Sequence, residues 1–363
     1  MTTSNHKTNW ENYRDLELRG ALPIIKDLGF KLDEKQVHIG GERFLSSGQK
    51  LVLIGRQIST SNKVVIKISS HPDQINEIKN ERNHRHALKK IKFSYNKFFS
   101  PKEVVFKKVG KYYISIVEFI EQEKTFLERS QEEQFFLSLK AFETQEGVHA
   151  TTYEHVSIVN KTFESLKATD YTELFNEYKN KISSLFSSDD ELKKILISAK
   201  ETLEKNSKTI DLYSDFLTHW DFVPHNVRIN DGNIYLLDHS SIRFGNKHES
   251  WARFINFMVL YNRTLEKNLL KYLKNNRSEE ELLSLKLMRI FRLGEILYFY
   301  GNSLKKAEGD LLTLNKKRFK FWTHVLKSIV NDQPISDEIV NTYKKERDSL
   351  RGQEEIKRQE GLH

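Results

Sequence analysis

Four polar residues within one short stretch have the types and spacing to act together. Residues 209–245 read TIDLYSDFLTHWDFVPHNVRINDGNIYLLDHSSIRFG. At the centre are His219-Trp220-Asp221, then Asn226, then Asp238. Asn230-Asp231-Gly232-Asn233 predicts a tight turn between the apolar runs VRI and IYLL. Such a hairpin sets Asn226 before one strand and Asp238 at the end of the other. An amide oxygen and carboxylates converging at one edge are hard ligands of the kind that suit magnesium holding phosphate groups. Asp221 is then free to orient or deprotonate a hydroxyl. Each of these residues is also a common turn former, but their spacing and the hairpin favour the chemical reading.

The pattern H-x-D-x-x-P-x-N, followed by an apolar hairpin ending in Asp, resembles the catalytic signature of the aminoglycoside phosphotransferase/choline kinase family. That family is a branch of the protein-kinase-like fold. The resemblance covers roughly residues 37–265. It implies Asp221 as catalytic base, Asn226 as a metal ligand and Asp238 as the main magnesium ligand. His219 would support the loop and Pro224 would shape it. VVIKIS resembles the third strand of a kinase small lobe, which makes Lys67 the candidate for the nucleotide α/β-phosphates. Its expected partner is a glutamate on the next helix, Glu81, with Glu77 one turn earlier as the rival. Val117-Glu118-Phe119-Ile120 would be the hinge, with Glu118, Phe119 and Ile120 meeting the adenine. Backbone amides in the turn Ser46-Ser47-Gly48 can cradle phosphate oxygens, glycine permitting close approach. Gly48-Gln49-Lys50 is not Gly-Lys-Ser/Thr, which disfavours a P-loop enzyme.

Two departures stand out. His225 occupies a position where the family often has Gly. After Asp238 the chain lacks the usual Gly-Asp pair, and Glu249 is the candidate to replace the acidic residue that opens the next helix. The resemblance implies a phosphotransferase that moves the γ-phosphoryl group of ATP (or GTP), with Mg2+, to a hydroxyl of a small molecule such as a sugar, an amino alcohol or an antibiotic-like acceptor. The alternative is a catalytically silent kinase-like module that binds a partner or nucleic acid through its basic N-lobe.

The elements that must position these residues follow from periodicity. Residues 9–28 show helical spacing, with Pro23 expected to bend or interrupt the run. VHIGGERFL, KLVLIGRQ, KVVIKIS, EVVFKKV and YYISIVEFI predict five strands, with one helix over roughly 72–92 between the third and fourth. Helical patterns then dominate 131–205 and resume from about 249 to 350, around the β island at 211–239. The expectation is an α+β, two-lobed protein-kinase-like fold: a small β-rich N-lobe with one main helix and a large, mostly helical C-lobe. The expected divisions are an N-terminal helical extension at 1–36, the N-lobe at 37–123, the C-lobe at 124–345 and a polar tail at 346–363.

Composition excludes several classes. The 363 residues contain no cysteine, so disulfides, thiolate metal sites and thiol nucleophiles are ruled out. No apolar run is long enough for a transmembrane helix, and the simple expectation is a cytoplasmic protein with no membrane partner. The net charge of +9 is uneven. Residues 1–140 hold 25 Lys+Arg against 17 Asp+Glu, whereas 141–363 hold 34 against 33. A basic first part suits a polyphosphate ligand or nucleic acid. The signature above favours a nucleotide and a hydroxyl acceptor, and disfavours nucleic acid.

Overall fold

The computed structural model describes residues 9–36, 38–39, 50–93, 97–305 and 307–351. The chain divides into two units, one built from 1–88, 99–123 and 228–240 and the other from 89–98, 124–227 and 241–363.

The first unit is a five-stranded antiparallel sheet with a helix against each face. Helix α1 (Asn9–Asp27) leads through Gly29, in the left-handed region at φ 85°, into β1 (Phe30–Leu32). Then come β2 (Leu51–Gln57), β3 (Lys63–Ser69), α2 (Pro72–Lys90), β4 (Glu103–Val109) and β5 (Tyr112–Glu118). The strand order is β1-β2-β3-β5-β4. Side chains alternate across a strand. Val64, Ile66 and Ile68 of β3 therefore join Tyr112, Ile114 and Ile116 of β5, with Ala21 and Ile25 of α1, in one core. Lys67 falls on the other face, beside α2. This period of two is what gives a lysine inside an apolar strand its function-ready position.

Three expectations change here. The helix runs through Pro23, whose ring is exposed, because burial of Ala21 and Ile25 outweighs one lost helical hydrogen bond. Residues 9–36 are thus no separate extension, since α1 and β1 belong to the sheet unit. The first observed strand is Phe30–Leu32; VHIGGERFL lies outside the described residues apart from His38 and Ile39, which form a turn. Finally, residues 228–240 group with the sheet unit. The cause is local pairing: Phe99 bridges to Tyr235, Phe99 N donates to the Ile234 carbonyl, and Leu236 N donates to the Phe99 carbonyl. The hairpin strands are β7 (Val227–Asn230) and β8 (Asn233–Leu236). Its turn places Asp231 at φ 48° and Gly232 at φ 72°, the consecutive positive values that a two-residue hairpin loop requires.

The second unit is mainly helical. Its elements are α3 (Gln131–Glu146), α4 (Tyr153–Thr162), α5 (Ala168–Leu185), α6 (Asp190–Lys205), α7 (Ser207–Leu212), α8 (His248–Tyr261), α9 (Arg263–Asn276), α10 (Glu279–Ser303), α11 (Gly309–Val330) and α12 (Asp337–Ser349). The last helix passes the expected boundary at 345 because Val340 and Tyr343 are buried. Strands β6 (Phe216–His219) and β9 (Ile242–Gly245) pair antiparallel, Thr218 opposite Arg243. Helix α10 packs on α5, α6, α8 and α11 and buries Leu287, Met288, Ile290, Phe291, Leu293 and Leu297. In α8, Trp251 stacks on Phe142 at 4.4 Å between ring centres.

Candidate active site

In the sheet unit the chemistry gathers around Lys67. Its Nζ donates to Glu81 Oε2 at 2.6 Å and to Asp238 Oδ1 at 3.3 Å. Glu81 is buried on α2, two turns and more from the helix start. Burial by itself would push the Lys67 ammonium down, but the Glu81 and then the Asp238 carboxylate outweigh it and hold its pKa above the ordinary lysine value. The rival Glu77 has a different partner, pairing with the buried Lys50. Ser240 Oγ lies 3.2 Å from Glu77 Oε1 and 3.0 Å from Asp238 Oδ1, its single proton serving one at a time. The five charged groups Lys50, Glu77, Lys67, Glu81 and Asp238 thus form one linked set with one more carboxylate than ammonium. Asp238 itself sits at φ 50°, in the left-handed region that Asp tolerates better than most residues. The next residue is anchored: His84 Nδ1 donates to the His239 carbonyl at 2.7 Å, which fixes the His84 tautomer.

The helical unit carries Asp221 in the loop after β6. Arg253 of α8 donates to Asp221 Oδ1 from Nε at 3.1 Å and from Nη2 at 2.7 Å. Asn226 Nδ2 donates to Asp221 Oδ2 at 3.0 Å and to the Asp221 carbonyl at 2.8 Å. The Asn226 amide oxygen is thereby turned away from Asp221. Burial tends to raise the Asp221 pKa, but the Arg253 guanidinium, and after it His225 and His219, hold it below the usual carboxylate value. Asp221 is therefore ionised at neutral pH and able to accept a hydrogen bond from a hydroxyl.

The loop backbone is fixed on all sides. His219 is buried, and its N–H donates to Ser250 Oγ at 2.8 Å. Trp220 N donates to the Ser241 carbonyl at 3.0 Å, and Arg292 of α10 donates to the Trp220 carbonyl. Glu249 organises this region from full burial. It pairs with Arg243 of β9, accepts from Arg292 Nη1 at 3.3 Å and accepts from the Tyr171 hydroxyl at 2.7 Å. Burial would raise its pKa, yet Arg243 and Arg292 hold it below the ordinary glutamate value. Glu249 thus acts as a brace, reaching the loop through Arg292.

The remaining expected residues are less informative. Ser46, Ser47 and Gly48 lie outside the described residues. Glu118 N donates to the Lys102 carbonyl and Phe119 N to the Lys63 carbonyl, so both amides are committed to the sheet. Lys63 Nζ covers the Phe119 ring at 3.9 Å. Ile120 is buried. The sequence reasoning missed Arg253, Arg243, Arg292, Lys50 and Ser240. A signal existed for Arg292 and Arg253: LMRIFRLGEIL and WARFINFMVL each place arginine in an apolar run, where a cation out of water needs an acidic partner.

The donor set suits a magnesium ion. In the sheet unit Asp238 supplies hard carboxylate oxygens, and the linked set around it carries an excess negative charge. Magnesium commonly takes only one or two protein carboxylates and completes its shell with phosphate and water. No group of three or more His, Asp or Glu side chains that could hold a metal ion occurs among the described residues. Nor is any helix among them long and apolar enough to cross a membrane.

No family model matches the sequence, and no curated protein matches it. Solved structures do match. A thermostable mutant of aminoglycoside phosphotransferase APH(4)-Ia in apo form is 14% identical, with TM-score 0.60 over 85% of this chain and 97% of that one. A ternary complex of a mutant form of the same protein with AMP-PNP and hygromycin B is 15% identical, with TM-score 0.58 over 85% and 96%. The apoenzyme of macrolide 2'-phosphotransferase MphH from Brachybacterium faecium is 14% identical, with TM-score 0.53 over 87% and 99%. The chain thus has the two-lobed, kinase-like α+β fold of the aminoglycoside and macrolide phosphotransferases, the fold that its His219–Asp238 signature resembles.

Proposed function

We propose that the protein is a phosphotransferase that moves the γ-phosphoryl group of a purine nucleoside triphosphate to a small-molecule hydroxyl. The observation that carries this reading is Lys67, a cation held by both Glu81 and Asp238. Lys67 holds the phosphates, and Glu81 keeps it in place at a low entropic cost. Asp238 and, by the resemblance, Asn226 would hold magnesium, whose charge would offset that of the phosphate groups. With the Glu118 and Phe119 amides committed to the sheet, adenine recognition falls to Ile120 and its successors.

Asp221 works on the acceptor. Arg253 keeps it ionised, so it accepts a hydrogen bond from the hydroxyl as soon as that group arrives. Phosphoryl transfer passes through a loose transition state with little early demand for a strong base. A low-pKa carboxylate that orients the hydroxyl and takes its proton late meets that demand.

Thermal shift and slow hydrolysis test the reading before any acceptor is known. Magnesium-ATP should raise the melting temperature of wild type and of Asp221→Asn about equally, and that of Asp238→Ala much less. Hydrolysis should fall about 10²–10⁴-fold in Asp221→Asn, the range for losing a general base. Equal shifts in both variants would refute the division of roles. Salt-dependent nucleic-acid binding that neither substitution alters would favour a silent binding module instead.

A further inference from the structure

Trp220 is the feature that the reading above leaves without a task. It sits directly before Asp221, and 44% of its surface is exposed. Exposed tryptophan is commonly mobile, but this one is held. Its backbone N–H donates to the Ser241 carbonyl and its backbone carbonyl accepts from Arg292. The Arg243 guanidinium lies over its ring, 6.0 Å from the centre. Arg243 and Arg292 are buried, and both are bound to the same carboxylate, Glu249. Trp220, Arg243, Glu249 and Arg292 therefore close a ring of contacts. That ring supports the indole from one side and leaves the rest of it to solvent. A large aromatic surface fixed in advance loses little entropy when a ligand covers it.

Lone-pair accounting at Asp221 places the reacting hydroxyl. Oδ1 accepts two N–H groups from Arg253, and Oδ2 accepts one from Asn226. An ionised carboxylate has about four acceptor sites, so the open one is on Oδ2. The carboxylates around the loop each face an arginine: Asp221 with Arg253, Glu249 with Arg243 and Arg292, Glu295 with Arg292, and Glu164 with Arg243. A polycation arriving here would meet a guanidinium beside each of these four acids.

We propose that Trp220 is a stacking platform for the acceptor, and that the acceptor is a neutral polyhydroxylated ring, a sugar or cyclitol, whose C–H face lies on the indole while one hydroxyl reaches Asp221 Oδ2. Aromatic faces suit the apolar face of such rings, while a few fixed polar groups orient their edges. This proposal rests on the phosphotransferase reading.

The test uses the full-length protein with magnesium-ATP, neutral monosaccharides and myo-inositol as probes, and hygromycin B as the polycationic contrast. Acrylamide quenching of tryptophan fluorescence in a Trp10→Phe background reads coverage of the indole, since Trp251 and Trp322 are buried. The difference between wild type and Trp220→Phe isolates the Trp220 signal. At least one neutral ring should shield Trp220 and be phosphorylated. Trp220→Ala should then lower its kcat/KM about tenfold, as expected for losing roughly 1.4 kcal/mol of aromatic contact. Trp220→Phe should keep turnover within about threefold while the shielding signal disappears.

The proposal is overturned if magnesium-dependent ATP hydrolysis is present yet no neutral ring shields Trp220. It is also overturned if Trp220→Ala uses the ring as well as wild type, or if hygromycin B is preferred over every neutral ring. Absence of both nucleotide thermal shift and hydrolysis in wild type refutes the phosphotransferase reading itself, and the platform with it.

Discussion

Replacing Glu249 by Gln keeps the shape of the side chain and removes its charge. Glu249 is 0% exposed and meets two buried guanidinium groups and a buried tyrosine hydroxyl. Without the charge, Arg243 retains Glu164, whose side chain is largely exposed, and Arg292 retains Glu295. Removing one partner of a buried ion pair typically costs about 3–5 kcal/mol. At about 2–4 °C per kcal/mol for a unit of this size, the melting temperature should fall by roughly 6–20 °C. The pH dependence gives a second reading. The folded pKa of Glu249 lies below its unfolded value, near 4.3. Its stabilising contribution is therefore complete above the unfolded value and is lost as pH falls from there through the folded value. Glu249→Gln should lack that part of the acid slope. Scanning calorimetry between neutral pH and the acid limit measures both effects. A Gln variant that melts within a degree or two of wild type would show that the two arginines find enough compensation elsewhere.

Lys67→Met should abolish the magnesium-ATP thermal shift and lower stability as well, because Glu81 and Asp238 are left facing each other without their cation; an unchanged shift would remove Lys67 from the phosphate site. Gly245→Ala should destabilise the helical unit to a similar degree as Tyr171→Phe, since a Cβ there runs into the Tyr171 hydroxyl that bonds Glu249; a neutral effect on the melting temperature would mean that Tyr171 can move aside freely. Arg253→Lys should lower turnover while the magnesium-ATP shift persists, because a lysine cannot offer Asp221 Oδ1 two N–H groups in the same fork; wild-type turnover would show that charge alone suffices.

The legible parts of this molecule were those with a short repeat or a turn signal. Strand alternation in KVVIKIS singles out Lys67, and NDGN marks the hairpin that ends near Asp238, because both follow from backbone periodicity alone. Phe30–Leu32 was missed because three residues are too few to show a period. Strand β9 was missed because all four of its residues are buried, which erases alternation. The choice between Glu81 and Glu77 could not be made from spacing, since the two lie one helical turn apart and differ only in which lysine each reaches. Arg253 and Arg292 act through contacts 32 and 72 residues distant in sequence, and no local pattern encodes such pairs.

The pairing of Lys67 with its two carboxylates also sets an order in time. Glu81 lies 14 residues away and Asp238 lies 171 residues away. Closing the longer loop costs about 2 kcal/mol more chain entropy than the shorter one, by the logarithmic dependence on length. On a ribosome adding about 5–20 residues per second, Asp238 follows Glu81 by roughly 10–30 s. The emerging sheet can therefore join Lys67 to Glu81 early, but it has to wait for the hairpin to complete its acidic set. A nascent chain shorter than about residue 240 holds the lysine without Asp238. Capture of a metal-bound nucleotide thus becomes a late event in biogenesis, reserved for chains in which the helical unit as far as Val227 has already been made.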